Sequence, residues 1–545
     1  MSKLTKILST GYDILMGIDQ TIGEQERNNS YDLERVCNII HWLEGLCDHE
    51  KLYYTPRCVR EETGSLQVYV RDETGQGVPA QVKLFPISTG KNEHINNTKN
   101  ELNFQREITG WEGELKLILP IGVYSVEISK GSEYTIIRHE IRINKDKASQ
   151  LTIELVPILH LRRENWYSGD LHHHSIYSSP VYGGTDPVLE GPKTVCRSMM
   201  AMGASFGALS DHHNILNHPE WAALQNDKFI PILSKEISTS NGHVMSLGAA
   251  KDVIYHIPDG KNRTEEYLRK EFIRITEEIK GLGGLPQINH PRDRSKAISW
   301  NEEYDDILQI FETMELWNGS NPMLEGTANH RAFLLWLKLL EEGRYIPATA
   351  GSDTHNILAN DYHAYFNQLS WLAELITQKR LPIPKELTQE VASYIRFYKE
   401  VMPALKKWAE NLTSACVRNY VHVTGEVTQS TLLSSLKQGH SFLTNGPILI
   451  PEISGKLPGE TLAPKPDKTD ISIKLLANRP LKQLLIYSNG NRRTDLSLET
   501  RDQMQGSYDY SRILCDISLK DIKWMFFIAK DDCNNMAITN PIFFE

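Results

Sequence analysis

Cysteine is scarce in this chain. There are seven in 545 residues, an odd number, scattered, with no Cys-x-x-Cys pair. That pattern suggests neither a disulfide framework nor a thiolate zinc site. No run of about 18 apolar residues occurs, so no membrane-spanning helix is expected. The opening residues, MSKLTKILSTGYDILMGIDQT, lack a continuous apolar stretch and a small-residue cleavage site. They read poorly as a secretory signal, and a soluble cytoplasmic protein is expected. Positive charge is in deficit, with 59 Lys and Arg against 69 Asp and Glu, a net −10. This disfavours general nucleic-acid binding. Neither a Walker phosphate loop nor a Rossmann glycine fingerprint is present, which argues against chemistry driven by NTP or NAD. Gly-x-Ser-x-Gly is also missing, which argues against a serine esterase. Repeats and low-complexity tracts are absent.

What is present is ordinary globular composition, 40% hydrophobic and 23% charged. At roughly 150 residues per domain the length allows three or four domains. Residues 1–60 read as a helical segment, with Leu33, Val36, Ile39, Ile40, Leu43 and Leu46 on one face. Over 61–160 the period becomes two, with Gly and Pro at the turns, and a small β-sandwich is expected. Over 161–359 short apolar runs alternate with helical stretches near 188–203, 262–281 and 323–342. Seven candidate strands can be counted: WYSGDL, SFGALS, FIPILSKE, HVMSLGA, GLPQINH, FETMELWNG and YIPATAGSD. This is an α/β pattern, a mainly parallel sheet or barrel. A helical insert is expected over 360–418. A second β-sandwich is expected over 419–545, returning to the barrel near 419–447.

The chemistry concentrates at strand ends. GDLHHHS closes the first run, and alternation in an extended chain turns His172 and His174 to one side and His173 to the other. Two imidazoles two residues apart can share one ion, and Asp170 could orient one of them from behind. Alone, His-x-His is a weak signal. It gains weight because other runs end alike: Asp211-His212 after SFGALS, Glu236 after FIPILSK, His290 after GLPQIN, and Asp353 with His355 after YIPATAGS. The loops after the strands converge at that end of an α/β barrel, so these groups predict a shared centre. Imidazoles with carboxylates and no thiolate suit Zn²⁺, Mn²⁺ or Fe²⁺. The donors outnumber what one tetrahedral ion needs, so two or three divalent ions are expected, with Glu236 bridging a pair. Such a centre activates water and polarises a phosphoryl or carbonyl oxygen, which makes hydrolysis the leading reaction class.

Residues 165–356 resemble the polymerase and histidinol phosphatase (PHP) domain. The motifs are DLHHHS at 170–175, SDHHN at 210–214, Glu236, NHP at 289–291 and GSDTH at 351–355. The stretches 438–462 and 538–545 resemble the PHP subfamily named after carbaryl hydrolases. The resemblance implies a distorted seven-stranded (β/α) barrel, here flanked by two small all-β sandwiches. It implies one ion on His172, His174, Glu236 and Asp353. It implies a second on Glu236, His290 and His243, the last at the start of a strand. A third would use His212 and His355. There the chain departs from the pattern, because Pro180 stands where another imidazole is supplied. Asp211 is then a ligand of that third ion or a partner of bound water. His212 or His355, where not metal-bound, could protonate a leaving group. His213 is a candidate substrate contact. Arg292 could clamp an anionic substrate, or could equally form an ordinary salt bridge. The implied activity is phosphoester hydrolysis on a small, possibly anionic substrate, with ester or carbamate hydrolysis as the alternative. A rival of another class is a catalytically weak binding or assembly module. The helical additions leave room for a homo-oligomer.

Overall fold

The computed structural model describes residues 62–545. It leaves aside 88–104, 257–263, 294–297, most of 358–384 and 401–412, parts of 499–506 and a few single positions. The expected N-terminal helix, and most of the expected helical insert, lie outside the described residues. Within the insert the helix Thr388–Glu400 is present.

The first part is built from two small sheets. Glu114–Pro120, Thr63–Asp72 and Ala148–Leu155 form one; Gln105–Ile108, Gln81–Ile87, Gly122–Ser129 and Ile137–Ile143 form the other. Thr63–Asp72 alternates buried and half-buried residues, as period two requires of a strand with one covered face. Leu66, Val68 and Val70 pack there with Val82, Leu84, Val126 and Ile128. Lys130 ties this part to the next: its ammonium donates to the carbonyls of Pro79 (2.9 Å) and Met200 (2.6 Å).

The centre of the molecule is one long sheet. Its neighbours, in order, are Ala348–Gly351, Thr313–Asn318, Leu285–Asn289, Gly242–Leu247, Ile230–Thr239, Phe206–Leu209 and Trp166–Asp170. These correspond to the seven candidate strands. Gly242–Leu247 runs antiparallel to both neighbours, and the other pairs are parallel. Six strands therefore point the same way. Hydrogen bonds just past the two outer strands of this set form a seam. Asp353 N–H donates to the His172 carbonyl at 2.8 Å, and His174 N–H to the Thr354 carbonyl at 3.1 Å. Asp170 reinforces the seam, accepting from Ser352 N–H (3.0 Å), the Ser352 hydroxyl (2.6 Å) and Ala415 N–H (2.8 Å).

Helices Pro192–Ala201, Glu265–Gly281 and Ala328–Glu341 cover the sheet. Each is shorter than its apolar pattern. Pro192 occupies the first turn, where its missing N–H costs nothing. Thr264 and Thr327 cap the other two through hydroxyls that accept from Tyr267 N–H and His330 N–H. Phe333, Trp336, Leu339 and Leu340 pack with Ile288, Met314 and Leu316 into one core.

Beyond Trp166–Asp170 the same sheet continues through Arg418–His422 and Ser441–Thr444 into Met536–Thr539, Trp524–Asp531 and Leu481–Ser488. A second sheet, with Ile448–Ile453 and Lys468–Ala477, packs on it around Ile471, Ile473, Leu484 and Phe527. Backbone pairing thus joins the C-terminal strands to the sheet of seven strands described above. Among the described residues no helix is long and apolar enough to cross a membrane.

Candidate metal centre

The strand ends deliver their polar groups to one place. Four donor atoms meet first: Nε2 of His172, Nε2 of His174, Oε2 of Glu236 and Oδ1 of Asp353. Nε2 of His172 lies 3.2 Å from Nε2 of His174, 3.4 Å from Glu236 and 3.1 Å from Asp353. Nε2 of His174 lies 3.5 Å from Glu236 and 3.0 Å from Asp353. A tetrahedral ion with bonds of about 2.1 Å separates its ligand atoms by about 3.4 Å. The donor spacing fits one divalent ion.

The other oxygen of Glu236 serves a second group. Its Oε1 lies 3.1 Å from Nδ1 of His243 and 3.2 Å from Nε2 of His290, and Asn289 donates to it at 2.8 Å. His243 pairs with Ser238 across the hairpin of Ile230–Thr239 and Gly242–Leu247, so the turn returns it beside Glu236. Nδ1 of His290 is buried with no hydrogen-bond partner among the described residues, a ring nitrogen the protein leaves unsatisfied. A carboxylate with one oxygen toward each of two donor groups has the geometry of a bridge.

A third group gathers at the outer edge. Nε2 of His212 lies 2.6 Å from Oδ2 of Asp186, and Nε2 of His355 lies 3.4 Å from the same oxygen. His174, His212 and His355 bring ligand atoms close together, and the His174 ring stacks on both, with centroids 4.5 and 4.2 Å away.

Partners behind the donors fix which nitrogen faces inward. His172 donates its Nδ1–H to Glu315 Oε1 at 2.9 Å. Glu315 also accepts from His290 N–H (2.8 Å) and Asn318 (3.2 Å). His355 donates Nδ1–H to the Asp353 carbonyl at 2.9 Å. The Ser178 hydroxyl donates to Asp211 Oδ1 at 2.7 Å, so it accepts from Nδ1–H of His174 at 2.9 Å. In each ring Nε2 is the nitrogen turned toward the centre, the arrangement that orients a ligating histidine.

Burial and mutual charge then act together. Burial presses His172 toward the neutral form, but the carboxylates of Asp353, Glu315 and Glu236 outweigh it and hold its pKa well above the usual value. Burial likewise disfavours charge on His290, yet Glu236 raises it to about 9. Glu236 and Asp353 resist the upward push of burial and lie well below the ordinary carboxylate range, chiefly through His172. Burial, with His355 and His212 nearby, keeps His174 neutral. Protons on His172 and His290 thus occupy charge that a bound cation would supply. The backbone is forced as well. His290, Asp353 and His213 have φ of 25°, 51° and 63°, a left-handed conformation that costs on the order of 1 kcal/mol for a residue with a Cβ.

The remaining candidate residues have these surroundings. Asp211 is fully buried and accepts from Ser175 N–H (2.6 Å), the Ser175 hydroxyl (2.7 Å), Ser178 and Asn217 (2.5 Å). Through Ser178 it sets the orientation of the His174 ring. Asp170 takes the His172 backbone N–H at 3.2 Å, while the ring belongs to Glu315. Arg292 is buried in an ion pair with Asp305 at 2.5 Å, the salt bridge that the sequence left open beside a substrate clamp. His213 is exposed, its ring 5.9 Å from that of His212. Sequence reasoning passed over Glu315 and Asp186. An acid inside the wholly buried strand TMELWN was a signal for Glu315. Asp186 lies in an irregular loop and had none.

No family model matches the chain, and no curated protein matches it. Among solved structures it is similar to the TIE protein of Bacillus anthracis, with 19% identity over 21% of this chain and a TM-score of 0.14. It spans only 18% of that protein's length. It is also similar to a protein from Bifidobacterium adolescentis assigned as a metal-dependent phosphoesterase, with 14% identity, 34% of this chain, 87% of that one and a TM-score of 0.26. An amidohydrolase from Chromobacterium violaceum gives 16% identity, 34%, 87% and 0.23. Scores of this size describe local likeness only. The chain's own geometry provides the firmer statement: buried histidines and carboxylates stand in groups that could hold divalent metal ions.

Proposed function

We propose that this chain is a metal-dependent hydrolase of PHP type, with its centre on a distorted (β/α) barrel, acting on a phosphoester. The observation that carries the reading is Glu236, buried between two donor groups with one oxygen turned to each. Ions held there would lower the pKa of water and polarise the substrate's oxygen, and a pair of them suits the two oxygens of a phosphoryl displacement. The chain's own residues do the rest. Glu315, Ser178 and the Asp353 carbonyl hold the imidazoles in the ligating tautomer. The closed seam keeps His172 and His174 out of bulk water. His213 stands exposed beside the centre, placed to meet a substrate group.

Ester or carbamate hydrolysis is a second reading, favoured by a specific observation. Lys235 is paired with Asp252 (2.6 Å) and Arg292 with Asp305, which leaves neither to receive a phosphate. Val181, Tyr182 and Leu189, on the loop that carries Asp186, are exposed, as is Leu216. An apolar leaving group would find a surface there. The test is to count bound metal by elemental analysis. Aryl phosphates, phosphodiesters and aryl esters are then assayed with added Mn²⁺ or Zn²⁺. Turnover that disappears in Glu236→Ala supports the hydrolase, and the preferred ester class decides between the two readings. A chain with no bound metal and no turnover above that variant would instead be a binding or assembly module.

A further inference from the structure

We propose that a cavity at the far end of the strands from the metal centre binds a small uncharged polyhydroxylated molecule, one sugar ring in size. The inference goes beyond the hydrolase reading and does not depend on it. The cavity holds about 280 Å³ and is lined by His422, Thr424, Ser435, Gln438, His440 and Glu460, with Leu457 beside them. That volume lies near the lower limit of small-molecule sites. Its place in the sheet sets it apart from the centre. His422 pairs with Trp166, the first residue of the strand whose last residue is Asp170. At a strand's rise per residue, about 13 Å separates that pair from Asp170.

Three segments build the cavity, and two glycines let them meet. The helix Gln429–Gln438 ends at Gly439, whose φ of 75° turns the chain toward Ser441–Thr444. His440 stands at that turn, and its carbonyl accepts from His422 N–H at 2.8 Å, so the backbone brings the two histidines together. The loop after Ile448–Ile453 then passes close to the helix end. A Cβ on Gly459 would stand 2.5 Å from the Gln438 carbonyl oxygen. Glu460 follows it, and its carbonyl accepts from Phe543 N–H at 2.9 Å.

The polar groups of the cavity are largely unpaired. Neither imidazole has a hydrogen-bond partner among the described residues, and neither has the hydroxyl of Thr424 or of Ser435. Glu460 spends one oxygen on Leu457 N–H at 2.7 Å. The His422 ring packs on Trp166, with centroids 5.0 Å apart, which holds its direction. Burial keeps both imidazoles below their ordinary pKa, so each offers one N–H and one acceptor nitrogen. Charge then narrows the ligand. Among the described residues no Lys or Arg lines the cavity, so an anion would meet only the Glu460 carboxylate. The ligand atoms close enough to share an ion, again among the described residues, all belong to the metal centre. What remains is a set of donors mixed with acceptors. That set matches hydroxyls, since each hydroxyl both donates and accepts. Leu457 adds an apolar patch for the C–H face of a sugar ring.

The experiment titrates the full chain with glucose, galactose, mannose and myo-inositol, followed by saturation-transfer NMR and calorimetry. At least one of them should bind, at a single site per chain. Ser435→Ala should weaken that binding by about tenfold, the worth of one or two neutral hydrogen bonds. His440→Phe should abolish it. Thermal denaturation verifies that both variants fold. No binding by any of the four, or binding that both variants retain in full, overturns the inference. Inorganic phosphate and Zn²⁺ are titrated alongside. Binding of either one that His440→Phe abolishes, with no sugar bound, overturns it in favour of an anion or metal site. Both substitutions lie away from the metal centre, so failure here leaves the hydrolase reading standing.

Discussion

Glu315→Gln removes one charge from behind the centre and touches no donor atom of the inner ion. The wild-type carboxylate accepts on both oxygens, from the His172 ring on one side and from His290 N–H and Asn318 on the other. A glutamine can accept on only one side. Its amino group must face either the His172 Nδ1–H or the His290 N–H, and two donors then oppose each other. A buried donor without a partner costs about 1–3 kcal/mol. The loss of an orienting carboxylate behind a metal-bound histidine typically weakens metal binding by about 10–100-fold, or roughly 1.4–2.7 kcal/mol. Both costs are expected here, because the strand is fully buried and water cannot substitute. Competition of the metal-free protein against a fluorescent Zn²⁺ chelator measures the affinity, and thermal denaturation without metal measures the fold. An affinity within about threefold of wild type, in a variant that folds, would refute the claim that Glu315 holds His172 in place.

Other outcomes follow from the same contacts. His290 has a folded-state pKa near 9 against an ordinary 6.5. Its contribution to the metal-free fold is therefore complete below 6.5 and lost as pH rises through 9. An entering ion must displace that proton, so metal affinity should climb over this window with proton release, which calorimetry in buffers of different ionisation enthalpy detects. Gly351→Ala would put a Cβ 2.3 Å from the His172 Cβ and 2.5 Å from Glu315 Oε1. It should cost at least about 1–3 kcal/mol in denaturant unfolding and weaken metal binding in parallel. Arg292→Ala should lower stability by about 3 kcal/mol, since it strands Asp305, while the metal count stays unchanged. A raised KM for anionic substrates with stability intact would restore Arg292 as a clamp.

The inner donors were legible because each sits in a short motif at the end of an apolar run. Alternation along GDLHHHS separates His172 and His174 from His173, and the structure keeps that division: His173 turns away to the Ser414 hydroxyl at 2.7 Å. The seven strands were legible for the same reason, since period and punctuation are local. Helix lengths were less so. Pro192 in one first turn and the Thr264 and Thr327 caps of the other two helices trim apolar patterns that by themselves run on.

The amino-acid sequence by itself determined the strand ends and the residue types placed there, His172, His174, Glu236, His290 and Asp353 among them, because those follow from near-neighbour chemistry. Only the tertiary structure decided which groups stand behind them. Glu315 is 143 residues from His172, the Asp211–Ser178 relay joins separate loops, and Arg292 is neutralised by Asp305. Asp186 reaches His212 because a glycine lets the loop close on Ser178. A hydrogen bond is set by distance in space, and the packing of separate strands and loops fixes that distance.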